Sequence, residues 1–257
     1  MSEYYTPQRI RNLYDPADGK PFKISRSKID LFIECPRCFY IDRRLGVGRP
    51  PGFPFAINSA VDQLLKKEFD SYRAAGTKHP LIERYKVDAR PAPHEKLNEW
   101  RTNFAGVQYH HAKTNFLVFG AIDDLWQNSK GEHIVVDYKA TAKTKEIVEL
   151  NEDWQDGYKR QMEFYQWLLR RNGLTVFDTG YFVYCNGKAD RDAFNEKLDF
   201  DVTLIPYTGN DSWVEGALLD AHKCLNAGVI PEASDDCDYC RYNEAVEMVT
   251  DDKVFRK

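Results

Sequence analysis

A hairpin pattern in the middle of the chain constrains the fold most strongly. Two β-rich runs, NFLVFGAIDDLW and HIVVDYKAT, flank the polar segment QNSKGE, as is typical of two antiparallel strands joined by a turn. If the turn centres near Lys130, Asp123 lies opposite Asp137, and directly opposed residues share a face. Lys139 shares that face as well, because side chains alternate along a strand. The pattern predicts two carboxylates and an ammonium group on one surface.

The segments around the hairpin predict a mixed α/β chain with its sheet in the middle. The clearest helix is DWQDGYKRQMEFYQWLLRRNG, whose apolar stripe comprises Trp154, Tyr158, Met162, Tyr165, Leu168 and Leu169. Helices are also predicted within SRSKIDLFIEC, AINSAVDQLLKKEFDSYRAAG and SWVEGALLDAHKCLNAG, and strands within TVFDTGYFVYCNG and KLDFDVTLIPY. The length of 257 residues is consistent with a single domain spanning 1–257.

The acidic pair and the lysine suggest a metal-dependent site. Asp123 and Asp137 repel each other unless a cation neutralises them, and oxygen ligands suit Mg²⁺ or Mn²⁺. Such a metal lowers the pKa of a bound water and stabilises charge on a phosphate, while Lys139 can stabilise the developing charge. An aspartate and a lysine on a strand are most often a solvated ion pair, so the opposing G-A-I-D is what favours the metal site.

Two further features point to the same surface. Gln161 and Tyr165 lie one helical turn apart and predict either an ordinary helix boundary or a polar edge facing the metal site and nucleic acid. Basic residues that are candidates for nucleic-acid contact are Arg37, Arg43, Arg44, Lys143, Lys145, Arg170 and Arg171. Those in KATAKTK, which begins at Lys139, are the best placed.

Four of the six cysteines form two C-x-x-C pairs near opposite ends of the chain: Cys35, Cys38, Cys237 and Cys240. Four thiolates can bind a 4Fe–4S cluster or a structural Zn²⁺, and either group would join the first helix to the tail. Cys185 and Cys224 fit buried apolar positions better.

The bulk composition excludes some classes of protein. Hydrophobic residues make up 42% of the chain and the formal net charge is −4, which argues against disorder and against bulk electrostatic attraction to nucleic acid. No apolar run is long enough to span a membrane, and MSEYYTPQRIRNLYDP lacks a signal-peptide core. We therefore expect a cytoplasmic protein with no membrane contact.

Together the motifs G-A-I-D (120–123), V-V-D-Y-K-A (135–140) and Q-M-E-F-Y (161–165) resemble the PD-(D/E)XK nuclease superfamily, specifically its RecB-type branch. The segments 25–40 and 231–242 resemble the entry and closing segments of its cysteine-bearing members, which include the AddB nuclease domain and CRISPR-associated adaptation nucleases. The resemblance implies a restriction-endonuclease-like core, a central mixed sheet flanked by helices. It also implies a cysteine-rich substructure made by residues 25–45 and 228–243.

Carried over motif by motif, the resemblance implies roles for individual residues. Asp123 and Asp137 would be metal ligands, with the Tyr138 carbonyl a further candidate. Lys139 would be the catalytic lysine, and Gln161 and Tyr165 its accessory pair.

The chain departs from that family pattern at two points. Asp62 stands where relatives carry a histidine ligand, so it is either an extra carboxylate ligand or a polar residue on an amphipathic helix. Iron–sulfur relatives place one cysteine early and three late, but the expected last position is Val246, and Cys38 is additional. The resemblance favours a 4Fe–4S cluster, while the symmetric pairs suit zinc equally well.

Three functions follow as hypotheses. The first is a metal-dependent DNA nuclease, exonuclease-like on single-stranded DNA or DNA with free ends. The second is a catalytically impaired module that binds nucleic acid or a partner in a repair or defence complex, which Asp62 and the acidic composition favour. The third is a metal-stapled structural subunit working with a helicase, a CRISPR protein or a DNA repair protein. The complete acid–acid–lysine set favours the first.

Overall fold

The computed structural model describes residues 8–52, 56–145 and 147–251, which adopt the predicted mixed α/β organisation. The helices are α1 (Arg26–Glu34), α2 (Pro36–Tyr40), α3 (Ala56–Ala75), α4 (Pro80–Arg84), α5 (Leu97–Trp100), α6 (Asp156–Arg171), α7 (Trp213–Asn226) and α8 (Asp238–Asp251). The strands are β1 (Phe22–Ser25), β2 (Arg90–Pro91), β3 (Val107–His111), β4 (Phe116–Gly120), β5 (Asp124–Gln127), β6 (His133–Thr141), β7 (Thr179–Gly187) and β8 (Phe200–Thr208). A π-helical turn covers Ile41–Leu45 and a 3₁₀ turn covers Asp153–Gln155.

A mixed sheet lies at the centre of the architecture. Among the described residues its five strands follow the order β2-β5-β6-β7-β8. The β6–β7 pair is parallel and the other pairs are antiparallel, and α6 makes the crossover that a parallel pair requires. A second sheet has the order β1-β4-β3. The predicted central mixed sheet flanked by helices is confirmed.

The register of the β5–β6 hairpin is the one that a turn centred near Lys130 predicts. Asp124 pairs with Val136 and Leu125 with Val135, so the next step outward brings Asp123 opposite Asp137. The prediction of one continuous first strand is wrong, however. β4 belongs to the smaller sheet and ends at Gly120.

Between β4 and β5 the backbone is not part of either sheet. The Ile122 amide donates instead to the Trp100 carbonyl at 3.1 Å. Asp123 therefore lies just before β5, at the end of the strand rather than within it.

The chain divides into two compact units. One comprises the described residues of 1–52, 110–118 and 214–257, and the other those of 53–109 and 119–213. The four clustered cysteines belong to the first unit. Every other residue predicted for the active site belongs to the second.

In the second unit, the sheet is covered on both faces. Val136 and Tyr138 point to a core that contains Phe69 of α3, whose ring stacks on Tyr138 with centroids 5.7 Å apart. Asp137 and Lys139 point to the opposite face, towards α6. The alternation of side chains along β6 thus separates an apolar face from a polar one.

One basic residue in the first unit has a structural role. Arg43 is only 5% exposed and its Nε donates to Asp42 Oδ2 at 3.0 Å. Burial alone would raise the pKa of Asp42, but hydrogen bonds from Arg43 and Lys28 outweigh burial and lower it to about 2. Arg43 therefore neutralises a buried carboxylate, and its prediction as a nucleic-acid contact is wrong.

Among the described residues, each helix is too short or too polar to cross a lipid bilayer.

Candidate active site

Asp137, Lys139 and Gln161 form a closed set of contacts between β6 and α6. Gln161 Nε2 donates to Asp137 Oδ1 at 2.8 Å, and Lys139 Nζ donates to Gln161 Oε1 at 3.2 Å. Lys139 also forms an ion pair with Asp137, whose side chain is fully buried. The glutamine therefore holds the carboxylate with its amide N–H and the lysine with its carbonyl.

Asp123 joins this set through the backbone of β6. Its Oδ2 accepts a hydrogen bond from the amide of Tyr138 at 2.9 Å, the residue between Asp137 and Lys139. The guanidinium of Arg101 donates to the Asp123 backbone oxygen at 2.9 Å. The two carboxylates predicted to oppose each other thus lie at the same end of the hairpin.

A lysine that sequence reasoning missed lies between two candidate ligands. Lys66 Nζ is 2.8 Å from Asp62 Oδ1 and 3.4 Å from Asp123 Oδ1. Burial raises the pKa of Asp62, and the nearby Asp123 adds to that rise against the opposing effect of Lys66. Asp62 and Asp123 therefore share one cation. The available signal was the spacing of Asp62 and Lys66, which puts them on one face of α3.

Tyr165 supports Gln161 from the next turn of α6. Gln161 Nε2 donates to the Tyr165 hydroxyl at 3.2 Å. The ring packs against the backbone at Gly120, where an added Cβ would lie 2.7 Å from Tyr165 Cε1. Glycine is required at this position because any side chain would displace the ring, which explains the glycine of G-A-I-D.

Asp124 is a second residue that the sequence did not single out. It is fully buried and forms an ion pair with Arg73. It also accepts hydrogen bonds from Arg101 at 2.8 Å, from Trp126 Nε1 at 3.1 Å and from the Tyr138 hydroxyl at 2.8 Å. Unlike its neighbour in sequence, this carboxylate is fully engaged within the protein. Its contacts fix the start of β5 and hence the position of the adjacent candidate ligand.

The ammonium group of Lys139 has an aromatic neighbour as well. Its Nζ lies 4.4 Å from the ring centre of Tyr158. Burial alone would lower the pKa of Lys139, but Asp137 and Asp123 outweigh it and raise the pKa. The lysine is thus held as a cation between an aromatic face and two carboxylates.

The carboxylate oxygens of the candidate site are the type of ligand that a hard divalent cation prefers. Asp62, Asp123 and Asp137 supply the oxygens that Mg²⁺ and Mn²⁺ prefer. In the described part of the chain these oxygens do not converge on one point as the four cysteines do, and the ammonium groups of Lys66 and Lys139 lie against them. A divalent ion shared by Asp62 and Asp123 therefore requires Lys66 to withdraw. The predicted roles of these residues, and of the Tyr138 carbonyl, stay predictions.

The other cluster consists of Cys35, Cys38, Cys237 and Cys240, whose sulfurs all lie within 4.8 Å of one another. The Sγ–Sγ distance is 3.8 Å between Cys35 and Cys240, 3.7 Å between Cys38 and Cys240, and 3.6 Å between Cys38 and Cys237. Cys35 follows α1 and caps α2, because its Sγ accepts a hydrogen bond from the Cys38 amide at 3.5 Å. The cluster therefore ties α1 and α2 to the start of α8.

The surroundings act differently on the individual sulfurs: burial raises the pKa of Cys38 and of Cys240, whereas Cys35 and Cys237 accept hydrogen bonds. Arg49 Nη2 donates to Cys237 Sγ at 3.5 Å, while its Nη1 bonds to Glu34 at 2.7 Å. Burial alone would raise the pKa of Cys35, but backbone hydrogen bonds, first that from Cys38, lower it to about 6. Thiolates this close repel one another, so the set needs a cation.

The spacing of the sulfurs distinguishes two kinds of metal group. Four thiolates on one tetrahedral zinc ion, each at about 2.3 Å, lie about 3.8 Å apart, which matches the distances of 3.6–3.8 Å. In a 4Fe–4S cluster each thiolate binds a different iron, so the sulfurs spread around the cluster. These three distances are those of a single tetrahedral ion, and a 4Fe–4S cluster would require the sulfurs to move apart. The choice between the two groups stays a prediction.

Comparison with known families identifies the superfamily of the chain. The model of the PD-(D/E)XK nuclease superfamily matches residues 23–245, which is most of the chain. No curated protein matches significantly. The predicted resemblance is confirmed at the level of the superfamily, whereas the RecB-type branch and the protein partners that it implies stay predictions.

Proposed function

Because the chain belongs to the PD-(D/E)XK nuclease superfamily, we propose that it is a metal-dependent deoxyribonuclease, exonuclease-like on single-stranded DNA or DNA with free ends. The observation that carries this proposal is the set of contacts joining Asp137, Lys139 and Gln161. A solvated surface pair would need no glutamine to hold both partners. Here a buried carboxylate and a lysine are positioned together on one face of β6.

In the proposed reaction, Asp123 and Asp137 would hold Mg²⁺ or Mn²⁺, and Asp62 and the Tyr138 carbonyl would be further ligands. When bound, the metal activates a water and neutralises charge on the phosphate. Lys139 places its ammonium group where negative charge develops on the phosphate oxygens and stabilises it. Gln161 orients Asp137 and Lys139 relative to each other, so little reorganisation is needed when the substrate binds.

The test of this function compares linear with circular substrates. In Mn²⁺ we expect the wild-type protein to degrade a linear single strand and to leave a circular single strand of the same sequence intact, because an exonuclease needs an end. A linear duplex shows whether the protein prefers single-stranded or double-stranded DNA. An RNA substrate shows whether it prefers DNA or RNA. Cleavage of the circle would contradict the exonuclease mode alone, and no cleavage of any substrate with Mg²⁺ or Mn²⁺ would contradict the nuclease function.

An impaired, binding-only module is the second candidate, and the position of Lys66 favours it. An ammonium group that stays between Asp62 and Asp123 competes with a divalent ion for the same oxygens. Such a protein would bind nucleic acid without Mn²⁺ and would not cut it.

Replacing Lys66 tests whether its ammonium group competes with the metal for the oxygens of Asp62 and Asp123. Lys66→Met is expected to tighten Mn²⁺ binding roughly five- to tenfold, since removing one partly exposed ammonium group frees two carboxylates at a gain of about 1 kcal/mol. Isothermal titration calorimetry without DNA measures the Mn²⁺ affinity of the variant and of the wild type. Lys67→Met, at the neighbouring exposed position on α3, is the matched control. Unchanged Mn²⁺ affinity in Lys66→Met would show that the metal does not use these oxygens.

We further propose that the four cysteines hold one structural Zn²⁺. The tetrahedral spacing of the sulfurs supports zinc, and the donor from Arg49 offsets part of the negative charge of four thiolates. The ion would contribute to folding, because it joins segments of α1, α2 and α8 that are about 200 residues apart in sequence. It takes no part in the proposed hydrolysis.

A further inference from the structure

Trp154 is a large aromatic side chain that the core does not use. The helical pattern predicts it in the apolar stripe of α6, but that prediction is wrong: the residue lies in the 3₁₀ turn before the helix and is 50% exposed. The turn is well fixed, because a capping box joins Glu152 and Gln155, with the Glu152 amide donating to Gln155 Oε1 at 2.9 Å. An exposed indole is therefore held on a rigid element.

Trp154 is connected to the active site through one residue. Its ring meets that of Tyr158 edge-on, with centroids 5.7 Å apart and an angle of 83° between the rings. Tyr158 in turn lies 4.4 Å from Lys139 Nζ. Because the two rings do not stack, Tyr158 leaves much of the indole accessible. The same helix that carries Gln161 thus sets the distance from Trp154 to the candidate catalytic lysine.

A basic loop also contacts the indole. Lys143 Nζ is 5.6 Å from the Trp154 ring centre. The side chain of Asn186, in β7, holds the backbone of Lys143, accepting from its amide at 2.7 Å and donating to its carbonyl at 2.9 Å. The lysine backbone is therefore anchored to the sheet, next to the ring.

Trp154 and Lys143 line a cavity of about 480 Å³, a size suited to a small organic group such as a nucleobase. Lys145 also lines it, together with Glu149 and Glu152. Among the described residues of the wall, the charges of two lysines and two glutamates largely cancel. The cavity therefore suits the uncharged, flat face of a base better than a phosphate group.

We propose that Trp154 is a stacking platform for an unpaired base of a nucleic-acid strand whose backbone reaches Lys139. Stacking on an aromatic side chain is independent of base identity but needs a base that is free of its partner strand. Lys143 would contact the adjoining phosphate. This assignment rests on the proposed function and specifies its substrate as single-stranded at this position.

The test measures binding, with Ca²⁺ replacing Mg²⁺ to prevent cleavage. In fluorescence anisotropy with a labelled single strand, Trp154→Ala is expected to weaken binding roughly five- to 100-fold, as loss of one stacked base predicts, whereas Trp154→Phe keeps most of the affinity. Phe194→Ala removes another strongly exposed aromatic ring of the same unit and is the matched control, expected to change binding less than about twofold. Binding of a blunt duplex should respond equally little to Trp154→Ala.

A strand with a single abasic position, moved nucleotide by nucleotide, locates the contact. The wild-type protein should lose affinity at one position, and Trp154→Ala should show no such position. Equal binding by the wild type and Trp154→Ala, or the same abasic profile for both, would overturn the proposal. If either outcome is found while the wild-type protein cleaves DNA in Mn²⁺, only the stacking site is rejected. If the wild-type protein does not cleave DNA at all, the nuclease function itself is rejected.

Discussion

Replacing Lys139 with alanine is expected to slow DNA cleavage in Mn²⁺ roughly 100- to 1000-fold, because it removes a preorganised positive group from the developing charge. Asp137→Asn should be at least as severe, since it also removes a ligand charge from the metal. Rates of release from an end-labelled single strand at saturating Mn²⁺ measure both effects. The geometry that motivates the prediction is the contact of both residues with Gln161.

Controls separate loss of chemistry from loss of folding. Asp137 is fully buried, so thermal melting of each variant must accompany its rate. Lys197→Ala, at an exposed position in the same unit, should cleave like the wild type. Lys139→Ala should still bind the single strand in Ca²⁺ within a few-fold of the wild type. Two folded variants with wild-type rates would exclude the proposed mechanism.

Removing one cysteine of the cluster is expected to release the metal and to destabilise the first unit. Cys237→Ser should purify without stoichiometric zinc and melt about 10 °C or more below the wild type, because metal-binding energy in such a site is folding energy. The colourless wild-type protein should contain one zinc per chain by elemental analysis. Prolonged chelation of the wild type should reproduce the lower melting temperature.

Cys224→Ser is the matched control, since it removes a thiol that is outside the cluster. It should retain one zinc per chain and melt near the wild type. A brown protein with iron and acid-labile sulfide would contradict zinc at this site. Full zinc content in Cys237→Ser would exclude that cysteine as a ligand.

The arrangement of the candidate site was predictable where it depended on a single local pattern. The β5–β6 register follows from a turn centred near Lys130, and it brings Asp123 opposite Asp137. Gln161 and Tyr165 are neighbours because a helix repeats every 3.6 residues. Each relation involves one hairpin or one helix, so sequence spacing determines it.

Lys66, Asp124 and Trp154 were not predictable as parts of the site. Lys66 reaches Asp123 from another element, at 3.4 Å, and no periodicity encodes the distance between α3 and the hairpin. Asp124 looked equivalent to its neighbour in G-A-I-D-D until its partners were visible. For Trp154, the predicted helical stripe began one turn too early, because the capping box of Glu152 and Gln155 opens a 3₁₀ turn and α6 begins only at Asp156.

The sequence by itself determined the order of the main helices and strands around the hairpin, the hairpin register, the acid–acid–lysine set and the two cysteine pairs, since these are properties of short stretches of chain. Only the tertiary structure decided how far apart the four sulfurs lie, which cation Asp62 and Asp123 share, and that Trp154 stays exposed. The physical reason is that packing between distant segments sets these distances. The spacing of residues along the chain does not determine the distances between such segments.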